Sequence, residues 1–266
     1  MKNKKILLVG HKGYLGSFLF DFLKINGFDV YAWGDKYINH RPDYVINCAG
    51  LVGVKECEDN PPRSFQSNYL VGGNMLYAYP KAKHIYFSSY YVYDSGGSCT
   101  EESQTTSRYF YMKHKLGTEE LILAKGGLIF RLGKLFGHVD IHKKKGLLES
   151  VLLDKNVVVD RVMFNPCSLM QVCRAVQFEL ETQKLVGIFN LANTELCTHA
   201  MFAAMACHYA KLSKPIEIID KRDGMFDSYG RFYMDLSKLN KHICLNDWGR
   251  DLKNYIEELD ASLFVG

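Results

Sequence analysis

Apolar and polar positions along the chain fall into short hydrophobic runs that alternate with helically spaced segments. KKILLVG predicts a short buried strand. SFLFDFLKING (Ser17–Gly27) has helical spacing and a glycine stop. DVYAW and YVINCAG predict two more strands, and PPRSFQSNYLVGGNMLYAY predicts one helix opened by proline. HIYFSS, GGLIFRLG and GIFNLAN read as strands. RYFYMKHKLGTEELILA, CSLMQVCRAVQFELET and THAMFAAMACHYAK read as helices. This alternation predicts an α/β fold, doubly wound, with a mostly parallel sheet covered on both faces. No internal repeat or low-complexity linker interrupts it.

Composition narrows the classes. The chain has 266 residues, 47% apolar and 23% charged, the balance of a soluble globular protein with room for a large core. It has no run of about 18 apolar residues, so no membrane span is expected. The opening MKNKKILLVG is basic then apolar, but Gly10 and His11 end the run too early for a signal peptide. The eight cysteines form no CxxC pair, and Cys48, Cys173 and Cys207 lie in apolar or helical patterns. Reduced core thiols and a cytoplasmic location are expected. A net charge of +4 is too mild to predict a nucleic-acid partner, and HKKKG (His142–Gly146) reads as a solvated loop. No His/Cys/Asp cluster has metal-ligand spacing.

Candidate chemistry begins at VGHKGYLG (Val9–Gly16), between the first strand and first helix, where Gly10, Gly13 and Gly16 are spaced GxxGxxG. Glycines there allow a tight turn and let a pyrophosphate approach the helix N-terminus, where free N–H groups favour anions. The spacing resembles the fingerprint of the extended short-chain dehydrogenase/reductase family. INCAG (Ile46–Gly50) resembles that family's stretch at the end of the next central strand, and Asn68 resembles the asparagine of the following helix. The resemblance implies a Rossmann-like fold. It also implies a cofactor site of Gly10, Lys12, Gly13, Tyr14, Leu15, Gly16, Cys48, Ala49, Gly50 and Asn68.

SRYFYMKHKLGTEEL (Ser107–Leu121) holds two Tyr-Lys pairs four residues apart, each able to share a helix face. In the family a Ser or Thr, a Tyr and a Lys form the catalytic set, and the pattern often runs YxxxKLxxE. Tyr111, Lys115, Leu116 and Glu119 fit it, whereas Tyr109 and Lys113 are expected to be surface or interface groups. IYFSSYYVYD (Ile85–Asp94) resembles the strand-end motif that supplies the hydroxyl, here Ser89. The resemblance implies that Tyr111 protonates a carbonyl oxygen as hydride arrives, that Ser89 hydrogen-bonds that oxygen, and that Lys115 also holds the nicotinamide ribose. A free tyrosine titrates near ~10, and a neighbouring ammonium is expected to lower that value.

The segment GRFYMDLSKLNKHICLNDWGRDLKNYIEE (Gly230–Glu258) resembles the end of the dTDP-4-dehydrorhamnose reductase family, through Arg231, Asp235, Ser237, Lys238, Leu239, Trp248 and Tyr255. Asp235–Leu239 also reads as a helix cap. Tyr90 and Tyr91 follow Ser89 where related dehydratases carry Asp-Glu, so dehydration is not expected. Tyr91 also stands where an epimerising relative carries cysteine. The implied activity is NAD(P)H-dependent reduction of the 4-keto group of a nucleotide-linked deoxysugar. The alternatives are a non-catalytic NAD(P)-binding regulatory subunit and a nucleotide-sugar 4-epimerase. Tyr91, Lys134 and Arg231 are the expected substrate-binding residues, Lys134 toward a diphosphate, and FNPCS (Phe164–Ser168) is expected to line the sugar pocket. A homodimer is an expected assembly. The expected division is a cofactor domain at 1–137 and 165–192, with a substrate-binding cap at 138–164 and 193–266.

One departure from the family bears on the cofactor. Relatives place a helix and a third strand after strand two, but here Gly34–Pro42 is all that precedes Asp43. A crossover takes about a dozen residues, so the third strand is expected to be missing and strand two to form the sheet edge. The acid that would bind the ribose 2′-hydroxyl is replaced in register by Gly34, with Asp35 one position later. Lys12 and Lys36 are near in sequence. NADPH is therefore favoured over NADH, with Asp35 the residue that would reverse the preference.

Overall fold

The computed structural model describes residues 4–34, 41–94, 97–138, 146–219 and 232–259. The expectations for Asp35, Lys36 and Arg231 lie outside these described residues. The described chain divides into two compact units. One comprises 4–34, 41–94, 100–132 and 173–190; the other comprises 97–99, 133–138, 146–172, 191–219 and 232–259.

The first unit is built on a six-stranded sheet. Its elements run β1 (Lys5–Val9), α1 (Tyr14–Ile25), β2 (Asp29–Ala32), β3 (Tyr44–Asn47), α2 (Val54–Asp59), α3 (Pro61–Phe65), α4 (Val71–Ala78), β4 (Lys83–Ser89), α5 (Phe110–Leu123), β5 (Leu128–Leu132), α6 (Leu169–Thr182) and β6 (Gly187–Leu191). The strand order is β2-β1-β3-β4-β5-β6, and the first five pair in parallel. β2 forms an edge and β3 lies directly beside β1, as the short Gly34–Pro42 connection requires.

Strand alternation sorts the helices onto two faces. Leu7, Val9 and Val45 pack with Met75 of α4, and Tyr86 and Ile129 pack with Leu76 of α4 and Ile122 of α5. Tyr44 points the other way, where its hydroxyl donates to Glu179 of α6 at 3.2 Å. The sheet is thus buried on both faces, which explains its continuous apolar strands.

The expected single helix at 61–79 is interrupted. Between α3 and α4, residues Gln66–Leu70 form a π turn. From α5, the Thr118 hydroxyl donates to the Asn68 carbonyl at 2.7 Å, which satisfies a backbone acceptor in the widened turn. Such turns are frequent at functional sites.

The second unit has its own core, which includes Phe136, Phe164, Phe202, Trp248, Leu252 and Ile256. Four two-stranded pairings frame it, such as Lys134–Phe136 with Pro166–Ser168 in parallel. The Asp235 carboxylate accepts the Ser237 N–H at 2.7 Å, just ahead of a short helix over Ser237–Asn240 whose N-cap residue is Leu236, not Asp235 as the sequence suggests. Among the described residues, no helix is long and apolar enough to cross a membrane, and no cluster could hold a metal ion.

Candidate active site

Two glycines of the turn, Gly10 and Gly16, leave no room for a side chain. Gly10 has φ +82°, and a Cβ there would lie 2.6 Å from the Ala49 nitrogen. A Cβ on Gly16 would lie 2.0 Å from the Gly10 oxygen. The Gly13 N–H donates to the Gly10 carbonyl at 2.9 Å, and among the described residues no side chain caps α1. The positive end of α1 therefore begins in a bare backbone turn suited to an anion. Lys12 is exposed, Tyr14 is half-buried and Leu15 is buried.

The end of β3 forms the adjoining wall. The Cys48 N–H donates to Val9 at 2.9 Å, and the Asn47 side chain accepts the Ala49 N–H at 3.0 Å. Gly50 follows, where a Cβ would meet Asn68 Oδ1 at 2.8 Å and Lys115 Nζ at 3.4 Å. Asn68 is buried, and its Nδ2 donates to the Leu51 carbonyl at 3.1 Å. Its Oδ1 has no hydrogen-bond partner among the described residues. A glycine-lined cradle with an orphaned buried acceptor beside a lysine fits a dinucleotide that brings its own hydroxyl donors.

Ser89, Tyr111 and Lys115 come together in this unit. Ser89 ends β4, and its Oγ accepts the Tyr91 N–H at 3.2 Å. The Ser89 side chain also lies close enough to Tyr111, in the first turn of α5, to favour its ionised form. Lys115, one turn later, donates to the Phe87 carbonyl at 2.9 Å, and its Nζ lies 6.0 Å from the Tyr111 ring centre and 4.9 Å from that of Tyr86. Tyr91 stacks on Tyr90 at 4.4 Å and acts electrostatically on Tyr111. Tyr109 stands just before α5 in extended conformation, and Lys113 is exposed, so the first Tyr-Lys pair is not part of this cluster.

The electrostatics correct one expectation. Burial pushes the Tyr111 phenol up to about 12, and the nearby Ser89 hydroxyl opposes this without cancelling it. The expected lowering by the Lys115 ammonium does not emerge: burial is the largest influence, Ser89 is the one that lowers, and the net shift is upward. The same burial pulls Lys115 down to about 8, with Glu119 the foremost opposing influence.

In the second unit, Lys134 Nζ lies 2.9 Å from His199 Nε2, whose Nδ1 lies 2.6 Å from Asp160 Oδ1. An ammonium can only donate, so Nε2 accepts and Nδ1 carries the proton to Asp160. Ser168 of the FNPCS segment is engaged structurally, its Oγ donating to Asp251 at 2.5 Å. Three features escape the sequence: the Phe87 carbonyl, the Tyr86 ring and the π turn that seats Asn68. A backbone carbonyl leaves no residue signal, and HIYFSS reads only as a strand, with nothing that sets the Tyr86 ring beside a lysine.

The turn, the parallel sheet and the buried Ser-Tyr-Lys set define a Rossmann-like protein of the short-chain dehydrogenase/reductase kind. More narrowly, the chain belongs to the family described as RmlD substrate binding domain, whose model matches residues 4–261. It is 26% identical over 223 residues to the spore coat polysaccharide biosynthesis protein SpsK of Bacillus subtilis (strain 168), covering 75% of this chain and 77% of that protein. Its fold is similar to dTDP-4-dehydrorhamnose reductase from Bacillus anthracis str. Ames in complex with NADP, with TM-score 0.82 and 17% identity over 97% of this chain and 100% of that one. It is also similar to UDP-glucose 4-epimerase from Thermus thermophilus in complex with NAD, with TM-score 0.77 and 18% identity over 96% and 100% of the two chains.

Proposed function

We propose that the protein reduces the 4-keto group of a nucleotide-linked deoxysugar, using NADPH in preference to NADH. The observation that carries this reading is the buried Ser89–Tyr111–Lys115 set in a chain of the RmlD family. A bound NAD(P)H supplies the hydride. Tyr111 gives its proton to the carbonyl oxygen, and its raised pKa keeps that proton in place at neutral pH, as an acid for reduction must. Ser89 donates to the same oxygen and offsets its developing charge. The Lys115 ammonium offsets the phenolate left on Tyr111, which solvent then reprotonates. Tyr91 orients the sugar, and Lys134 and Arg231 are assigned to its diphosphate.

Gly10, Lys12, Gly13, Tyr14, Leu15 and Gly16 are assigned to the cofactor's pyrophosphate side. Cys48, Ala49, Gly50, Asn68 and Lys115 are assigned to its ribose side. Lys12 favours a 2′-phosphate, and Asp35 is the residue that would favour NADH. The test is a panel of 4-keto nucleotide sugars, with NADPH and NADH absorbance followed. Stoichiometric NADPH oxidation with a 4-keto-6-deoxy sugar is expected. Tightly bound NAD, with sugar interconverted and no net oxidation, would instead identify a 4-epimerase. Cofactor binding with no turnover of any sugar would identify a regulatory subunit.

A further inference from the structure

We propose that the buried Glu119–Arg131 ion pair is a positioning device for Lys115, in which Arg131 fixes the Glu119 carboxylate one helical turn from the ammonium and so holds the proton on Lys115. Lys115 and Glu119 are four residues apart on α5, 7% and 2% exposed. Arg131, from β5, takes both carboxylate oxygens, through Nε at 3.1 Å and Nη2 at 2.7 Å. Its Nη1 donates to the Glu101 carbonyl at 3.1 Å, and its guanidinium carbon lies 4.9 Å from the Tyr93 ring centre. The shell is tied in turn: Tyr93 donates to Asn190 Oδ1 at 2.5 Å, and the Asn190 N–H donates to Glu101 at 2.7 Å. Neither member of the pair is left to find its own geometry.

A buried ion pair adds little stability over apolar residues of similar volume, so its placement calls for another account. The groups around Lys115 supply one. Its own helix presents Tyr111 and Glu119, β4 presents the Tyr86 ring and the Phe87 carbonyl, and the β3 and α2 segments present the Cys48 and Cys57 thiols. Burial pushes both thiols and both tyrosines up, so all four stay neutral near neutral pH. Glu119 is thus the anion among these groups. Arg131 does not titrate in the accessible range, so it keeps the Glu119 carboxylate ionised and aimed. Glu119 does not touch the reacting atoms in this account; it acts through Lys115.

The functional weight of the pair rests on the reading of Lys115 given above, but its test does not. Protein labelled with carbon-13 at lysine Cε is titrated by NMR without substrate or cofactor, and Lys115 is assigned by the resonance lost in Lys115→Met. In the double variant Glu119→Gln/Arg131→Gln, Lys115 is expected to lose its proton about one pH unit or more lower than in the wild type. Glu119→Asp withdraws the carboxylate but keeps the Arg131 pair, and should give a smaller shift in the same direction. The alkaline limb of kcat/KM should follow both shifts. A folded double variant with an unmoved Lys115 titration overturns the proposal. If the double variant does not fold, an unmoved titration in Glu119→Asp overturns it. Failure of the sugar assay with these shifts intact would instead count against the proposed reaction.

Discussion

The ammonium of Lys115 donates a 2.9 Å hydrogen bond to the carbonyl of Phe87, two residues before Ser89 on β4. One strand end therefore fixes the lysine and the hydroxyl, while α5 supplies the tyrosine between them. The set depends on backbone placement more than on flexible side chains.

Tyr111→Phe removes the proposed acid and leaves the ring. Turnover should fall about 10²-fold or more, the usual contribution of a positioned proton donor. Tyr109→Phe should leave steady-state rates nearly unchanged. The reverse pattern would show that the other tyrosine is the acid.

Burial lowers the Lys115 pKa from 10.5 to about 8. Between these values the unfolded chain holds the extra proton, so this group makes stability rise with pH across that window. Below about 8 the cost of burying the ammonium is fully present. Lys115→Met should therefore melt higher near neutral pH, by about 1–3 kcal/mol after the Phe87 carbonyl loses its donor. The gain should shrink as pH rises above about 8, where kcat/KM of the wild type should also fall as the free enzyme loses the ammonium. Thermal melts and pH profiles check both; a gain that grows with pH would contradict the sign.

Gly16→Ala would place a Cβ 2.0 Å from the Gly10 oxygen. The turn must open, and NADPH binding by fluorescence should be lost together with stability. Gly73→Ala meets nothing nearer than the Leu121 Cδ1 at 3.7 Å within α4. It should raise stability by about 0.5–1 kcal/mol and leave cofactor binding unchanged.

Local patterns carry much of the candidate site. The glycines of VGHKGYLG, the YxxxKLxxE spacing of Tyr111 and Lys115, and the short Gly34–Pro42 connection each act over a few residues, and the sheet edge at β2 followed from the last. What stayed hidden is non-local. The π turn at Gln66–Leu70 is supported by Thr118, 50 positions beyond Asn68. The ion pair joins Glu119 to Arg131 across a helix and a strand. The upward shift of Tyr111 follows from burial, which sequence shows less readily than a neighbouring charge.

Deuteride transfer tests the central claim most directly. The protein is incubated with a 4-keto-6-deoxy nucleotide sugar and NADPH labelled with deuterium at the transferring position, in parallel with unlabelled NADPH in deuterium oxide, and the product is read by mass spectrometry and NMR. The account predicts one deuterium at carbon 4 of a 4-hydroxy sugar, none acquired from solvent at carbons 3 and 5, and at least a ~100-fold slower transfer in Tyr111→Phe. Unlabelled product, or exchange with solvent at carbons 3 and 5, would contradict it.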